Sequence, residues 1–211
     1  MSKEVNLNNL LLSASYGENG TYESAQTFWE TDPYIKWLKI DFAIEDAEGS
    51  LSVDVYGEKE QATPIGSLFG ALILGQQAYA DREDIFLACN DCDEDLLTVM
   101  TELSQEGLIN ESLGGYPNIL YIHNLELASE ILDAQNIRQF FDRIPDFVFQ
   151  HTNVRPEIVA YIIASVDGFY EKQAEKTSFD SRSVDGYSPL MFTENGYILS
   201  NSGNLLYREV N

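Results

Sequence analysis

Basic residues are scarce in this chain. Twelve Lys and Arg stand against 35 Asp and Glu, a formal net charge of −23 over 211 residues. That shortage argues against direct binding of nucleic acid or of an anionic membrane, because both need clustered cations. It leaves a solvated, self-repelling surface or a surface made to meet a basic partner. Cysteine is as sparse: Cys89 and Cys92 are the only two, too few to staple a chain of this size, so a reducing, cytoplasmic setting is expected. No apolar run reaches the ~18 residues of a membrane-spanning helix. The start, Met1-Ser2-Lys3-Glu4-Val5, lacks the charged-then-apolar pattern of a signal peptide, and none is expected. There is no Walker loop, no dinucleotide fingerprint and no Gly-x-Ser-x-Gly elbow; Gly66-Ser67-Leu68-Phe69-Gly70 sets its serine one position off.

What is present is the material of a core. Apolar residues make up 44% of the chain, with twelve Tyr, eleven Phe and two Trp spread along it, whereas acidic disordered segments lack such residues. A Leu-rich run covers 6–15, and 22–29 could form a short helix before Asp32-Pro33. Alternation through Ile35, Trp37, Leu38, Ile40, Phe42 and Ile44, a turn at Asp46-Ala47-Glu48-Gly49, and renewed alternation at Leu51, Val53 and Val55 predict a hairpin. The apolar run 67–80 fits a buried strand or a helix, and 85–89 reads as a short buried strand. Asp91, Asp93 or Asp95 caps a helix carrying Leu96, Leu97, Met100 and Leu103, which Gly107 ends. A strong strand covers 119–127. A short helix over 137–144, a strand at Phe147-Val148-Phe149, and a Pro156-led helix over 157–166 follow. Strands at 197–200 and 205–210 close the chain. The order predicts a single mixed α/β domain over 1–211.

Ile119-Leu120-Tyr121-Ile122-His123-Asn124-Leu125-Glu126-Leu127 resembles the central strand of the GNAT superfamily of acyl-CoA-dependent N-acetyltransferases. Phe192-Thr193-Glu194-Asn195-Gly196-Tyr197 is similar to that family's Tyr-x-x-x-Gly-Phe element, where a helix ends at Gly and re-enters the sheet. The resemblance implies an acetyltransferase-like fold. It also implies a V-shaped cleft beside the central strand for the pantetheine arm, and a glycine-rich turn whose N–H groups hold the pyrophosphate.

The departures carry more weight. The phosphate-binding turn falls on Leu132, Asp133, Ala134, Gln135, Asn136 and Ile137, with Asp133, Gln135 and Ile137 where the glycines belong. Without glycine a Cβ stands between backbone and phosphate, and the Asp133 carboxylate would compete for the same donors. Phe192 stands where many members place the tyrosine that protonates the departing thiolate. Glu126 matches a position where some members carry a general base, and otherwise reads as a polar strand residue.

Metal chemistry is poorly supported. Cys89-Asn90-Asp91-Cys92 has the gap of a zinc or redox pair, but zinc would need His123 and His151 to converge on it. The neighbours Asp91, Asp93, Glu94 and Asp95 oppose thiolate formation. Asp91, Asp93, Asp95 and Glu102 have calcium-loop spacing, yet Leu96 stands where the loop turns on glycine.

Acidic residues concentrate in two stretches, 41–60 and 81–111, the second with ten against Arg82 alone. The expectation is therefore a non-catalytic, acetyltransferase-like protein that needs no cofactor. It would meet a basic protein surface through Asp81, Glu83, Asp84, Asp91, Asp93, Glu94 and Asp95. One rival is an N-acetyltransferase that grips acetyl-CoA through a divergent loop with Glu126 as base. A second is an acidic nucleic-acid mimic that blocks a DNA- or RNA-binding enzyme.

Overall fold

The computed structural model describes residues 10–16, 33–45, 62–109, 115–128, 134–163, 181–183 and 192–210. The elements in chain order are β1 (Leu10–Tyr16), β2 (Ile35–Glu45), β3 (Ala62–Leu74), α1 (Gly75–Asp81), α2 (Ile85–Cys92), α3 (Glu94–Gln105) and β4 (Asn118–Ala128). They continue with α4 (Ala134–Thr152), β5 (Ile158–Ile162), β6 (Ser181–Ser183), β7 (Ile198–Leu199) and β8 (Leu205–Glu209). The strands form one mixed sheet in the order β1-β2-β3-β4-β5-β8-β7, with β6 paired to β4 off this path. β4 and β5 are the parallel pair, and α4 crosses over between them.

Helices cover both faces. Leu38, Ile40, Phe42, Leu68, Leu72, Leu120, Ile122 and Leu125 pack against Phe140, Phe141, Ile144, Phe147 and Val148 of α4. On the opposite face Ile35, Ala71, Ile73, Ile119, Tyr121, Ile158 and Ala160 meet Ala78, Ile85, Cys89, Leu96, Val99, Met100 and Leu103 of α1–α3. Burial on both faces explains why β3 and β4 read as nearly continuous apolar runs. The run at 67–80 resolves into both candidates: strand to Leu74, then helix from Gly75.

Three expected elements are corrected. The strand at 85–89 is the helix α2: the Asp84 side chain accepts from the Phe86 and Leu87 N–H groups, and the buried positions are Ile85 and Cys89, four apart. The strand at Phe147-Val148-Phe149 is the last part of α4, which continues through Pro145. The spacing of Phe140, Phe141, Ile144, Phe147 and Val148 is a helical stripe. The helix at 157–166 is β5, whose Ile-Val-Ala-Tyr-Ile sequence is buried between β4 and β8. The hairpin partner expected at 51–55 and the helix expected at 22–29 lie outside the described residues; β2 is flanked by β1 and β3.

Candidate functional site

β4 changes character halfway along. From Ile119 to Ile122 it pairs in parallel with β5. Beyond that point β5 leaves, and Glu126, Leu127 and Ala128 pair instead with Ser183, Arg182 and Ser181 of β6. On the other edge the register with β3 jumps from Gly70↔Ile122 to Phe69↔Asn124, so His123 is the extra residue of a bulge. The bulge shifts the alternation by one residue: before it Ile119 and Tyr121 belong to the α1–α3 face and Leu120 and Ile122 to the α4 core, whereas after it the odd-numbered Leu125 and Leu127 join the α4 core.

Around His123 an aromatic group gathers from neighbouring strands. Trp37 of β2 stacks on Phe69 of β3 at 5.1 Å and 15°, and His123 meets Trp37, Phe69 and Tyr121 edge-on at 6.0, 5.8 and 5.9 Å. The Tyr121 hydroxyl donates to Asp95 Oδ2 at 3.0 Å, and His123 Nδ1 lies 3.4 Å from that hydroxyl and 3.7 Å from the same carboxylate oxygen. Burial, and then the Asp95 charge, push the Tyr121 phenol well above the usual tyrosine range. The Trp37 indole nitrogen is buried with no hydrogen-bond partner among the described residues. Glu126 is exposed, with Asn124 Nδ2 donating to its Oε1 at 3.5 Å. Trp37, Phe69 and Tyr121 have no functional reading in the sequence, because only the register of β2, β3 and β4 brings them to His123.

The positions of the phosphate turn divide between two settings. Leu132 and Asp133 lie outside the described residues, while Ala134, Gln135, Asn136 and Ile137 form the first turn of α4. Phe192 is buried and stacked on Tyr161 at 5.1 Å and 7°. After it the chain turns at Gly196, φ 85°, with the Tyr197 N–H donating back to the Phe192 carbonyl before β7 begins.

The acidic residues of 81–95 lie on the helical layer α1–α3, and several hold that layer together. Asp84 caps α2, and Asp93 caps α3 through the Asp95 N–H. Asp81 accepts from the Tyr34 hydroxyl at 3.4 Å, and Asp95 holds Tyr121. Glu83, Asp91 and Glu94 are exposed. At the end of α3, the capping residue Glu106 accepts from Asn201 N and Nδ2 at 2.6 and 2.9 Å, and Glu102 within the helix accepts from the Ser202 hydroxyl, which ties the layer to the β7–β8 turn. Asp84→Ala is accordingly expected to cost about 1 kcal/mol in urea unfolding, whereas Asp91→Asn should stay within about 0.5 kcal/mol.

Among the described residues no group of three or more His, Cys, Asp or Glu is placed to hold a metal ion. Cys89 belongs to the α1–α3 core, whereas His151 packs on Phe147 at 4.2 Å beside the opposite core, so the zinc quartet does not converge. The calcium spacing is used otherwise, with Asp93 capping α3 and Asp95 on Tyr121. No helix among the described residues is long and apolar enough to cross a membrane. Comparison with protein-family models, with curated proteins and with solved structures returns no match.

Proposed function

We propose that this chain is a non-catalytic protein on an acetyltransferase-like frame, which acts by meeting a basic protein surface through its acidic helical layer. The observation that carries the reading is β6. In the resembling family the pantetheine arm enters where the central strand parts from its neighbour. Here β4 parts from β5 after Ile122, and β6 hydrogen-bonds to β4 at Glu126–Ala128. A backbone already paired to a strand has no free N–H and C=O groups on that edge to offer an extended ligand. Three further features support the reading. α4 begins at Ala134 with no glycine in its first turn. Phe192 is buried in the core and carries no transferable proton. Residues 75–109 hold nine acidic side chains against Arg82 alone, so an anionic cofactor and an anionic protein surface repel each other here.

The charge also sets the class of partner. A layer this acidic raises the encounter rate with basic proteins and repels nucleic acid, an effect that falls with salt. Calorimetry of the full chain with near-millimolar acetyl-CoA tests the proposal. No saturable heat is expected, and a clear saturable isotherm would overturn the reading in favour of an acyltransferase with Glu126 at its site.

A further inference from the structure

We propose that Leu87 and Tyr79 form an apolar anchor site on the acidic layer, which takes a basic partner segment presenting an apolar side chain flanked by Lys or Arg. The inference rests on the acidic-layer reading above and names what that layer would hold. Leu87 is 57% exposed on α2 and Tyr79 is 43% exposed on α1. On α2 the inward positions are Ile85 and Cys89, and Leu87 lies on the opposite side. Helical spacing places Asp91, four residues after Leu87, on the same outer face, and Asp84 caps the helix three residues before it. The Tyr79 ring meets Tyr116 edge-on at 5.7 Å, and Tyr116 meets Phe86 edge-on at 6.4 Å. Aromatic surface therefore runs from α1 across Tyr116 to the residue beside Leu87.

A single exposed leucine is ordinary. This one follows Phe86, where that run of rings ends, and the acidic residues nearest it along the chain, Asp81, Glu83, Asp84 and Asp91, are all exposed. An apolar centre inside a charged rim is the division of labour found at protein interfaces, where the centre supplies most of the affinity and the rim steers and selects. Charge complementarity selects a cationic occupant. A second copy of this chain would set an acidic rim against an identical acidic rim.

The test uses the full chain and labelled helical peptides about four turns long. One carries leucines on a single face with lysines elsewhere, the second replaces those leucines with serine, and the third replaces the lysines with glutamate. Anisotropy at about 0.15 M salt is expected to show the Leu/Lys peptide binding more tightly than the Ser/Lys peptide. Leu87→Ser should weaken the Leu/Lys peptide about tenfold or more and leave the Ser/Lys peptide unchanged. Tyr79→Ser should act in the same direction, and both variants should retain wild-type circular dichroism, since the side chains are exposed. If Leu87→Ser leaves the two lysine peptides bound as in the wild type, the anchor is wrong while the acidic-layer reading stands. If neither lysine peptide binds above the glutamate peptide, both fall. A dimer in sedimentation that Leu87→Ser dissolves would also overturn the anchor, by assigning the patch to self-association.

Discussion

Gly70→Ala is expected to lower stability by roughly 3 kcal/mol or more, read as a drop in the urea midpoint. A Cβ built on Gly70 meets the Tyr121 carbonyl oxygen at 2.2 Å, and one on Gly66 meets the Glu126 oxygen at 2.1 Å. Real Cβ atoms do not approach backbone oxygen that closely, so β3 or β4 must shift. The two glycines oppose β4 on either side of the bulge at His123. They let the two strands approach closely where β4 leaves β5. Relief by side-chain rotation is impossible, since the obstacle is backbone in the middle of the sheet. Against a typical total of about 5–15 kcal/mol, the loss is large. Gly70→Val should leave little folded protein. Wild-type stability in Gly70→Ala would show that β3 and β4 approach each other less closely than these contacts require.

Alkaline pH should unfold the protein steeply, beginning just above pH 10 or thereabouts, the ordinary tyrosine value. Tyr121 and Tyr197 are 2% and 4% exposed. Both phenols are pushed above the usual range, chiefly by burial, with Asp95 adding to the shift at Tyr121 and Asp142 at Tyr197, where Arg208 partly opposes it. Tyr207 shifts the same way, by burial and then by Glu106 and Glu209. Above the unfolded-state value the unfolded chain has released these protons while the folded chain keeps them. Stability is thus intact below that value and falls as pH rises beyond it. Each retained proton costs about 1.4 kcal/mol per pH unit, so two buried tyrosines together remove roughly 5 kcal/mol by about pH 12. The part of the phenolate absorbance that belongs to the buried tyrosines should appear together with the loss of far-ultraviolet circular dichroism. In Tyr121→Phe the slope of stability against pH should fall, because one of these protons no longer differs between states. Ionisation of all twelve tyrosines near pH 10 with the fold intact would contradict the burial of Tyr121 and Tyr197.

Much of the sheet is legible in the residues themselves. The β4 sequence carries strand chemistry over its whole length, and the closing pair is marked by Asn201-Ser202-Gly203-Asn204 between apolar runs. The capping role of Asp93 follows from a short acidic residue ahead of a helical stripe. Short apolar runs are where local pattern misleads. Ile85-Phe86-Leu87-Ala88-Cys89 has no polar interruption to reveal its period, and Asp84 decides for helix. Pro145 favours a break, yet the stripe from Phe140 to Val148 packs on the sheet strongly enough to carry the helix past it. Pro156 has the chemistry of a helix start, whereas the fold needs a parallel neighbour of β4 there. The site is less legible still. The bulge at His123 depends on pairing with Phe69 and Gly70, which are far away along the chain, and no local pattern encodes it. Counting alone finds the acidic residues. Their separation into helix caps, the Tyr121 partner and the exposed rim of Leu87 takes the geometry of α1–α3.

The most direct test of the central claim is amide hydrogen exchange along β4, followed by NMR with and without near-millimolar acetyl-CoA. The account predicts that amides of Glu126–Ala128 facing β6 exchange slowly in the free protein, and that acetyl-CoA changes neither their rates nor their resonances. Fast exchange there, with acetyl-CoA shifting those resonances and slowing them, would contradict it.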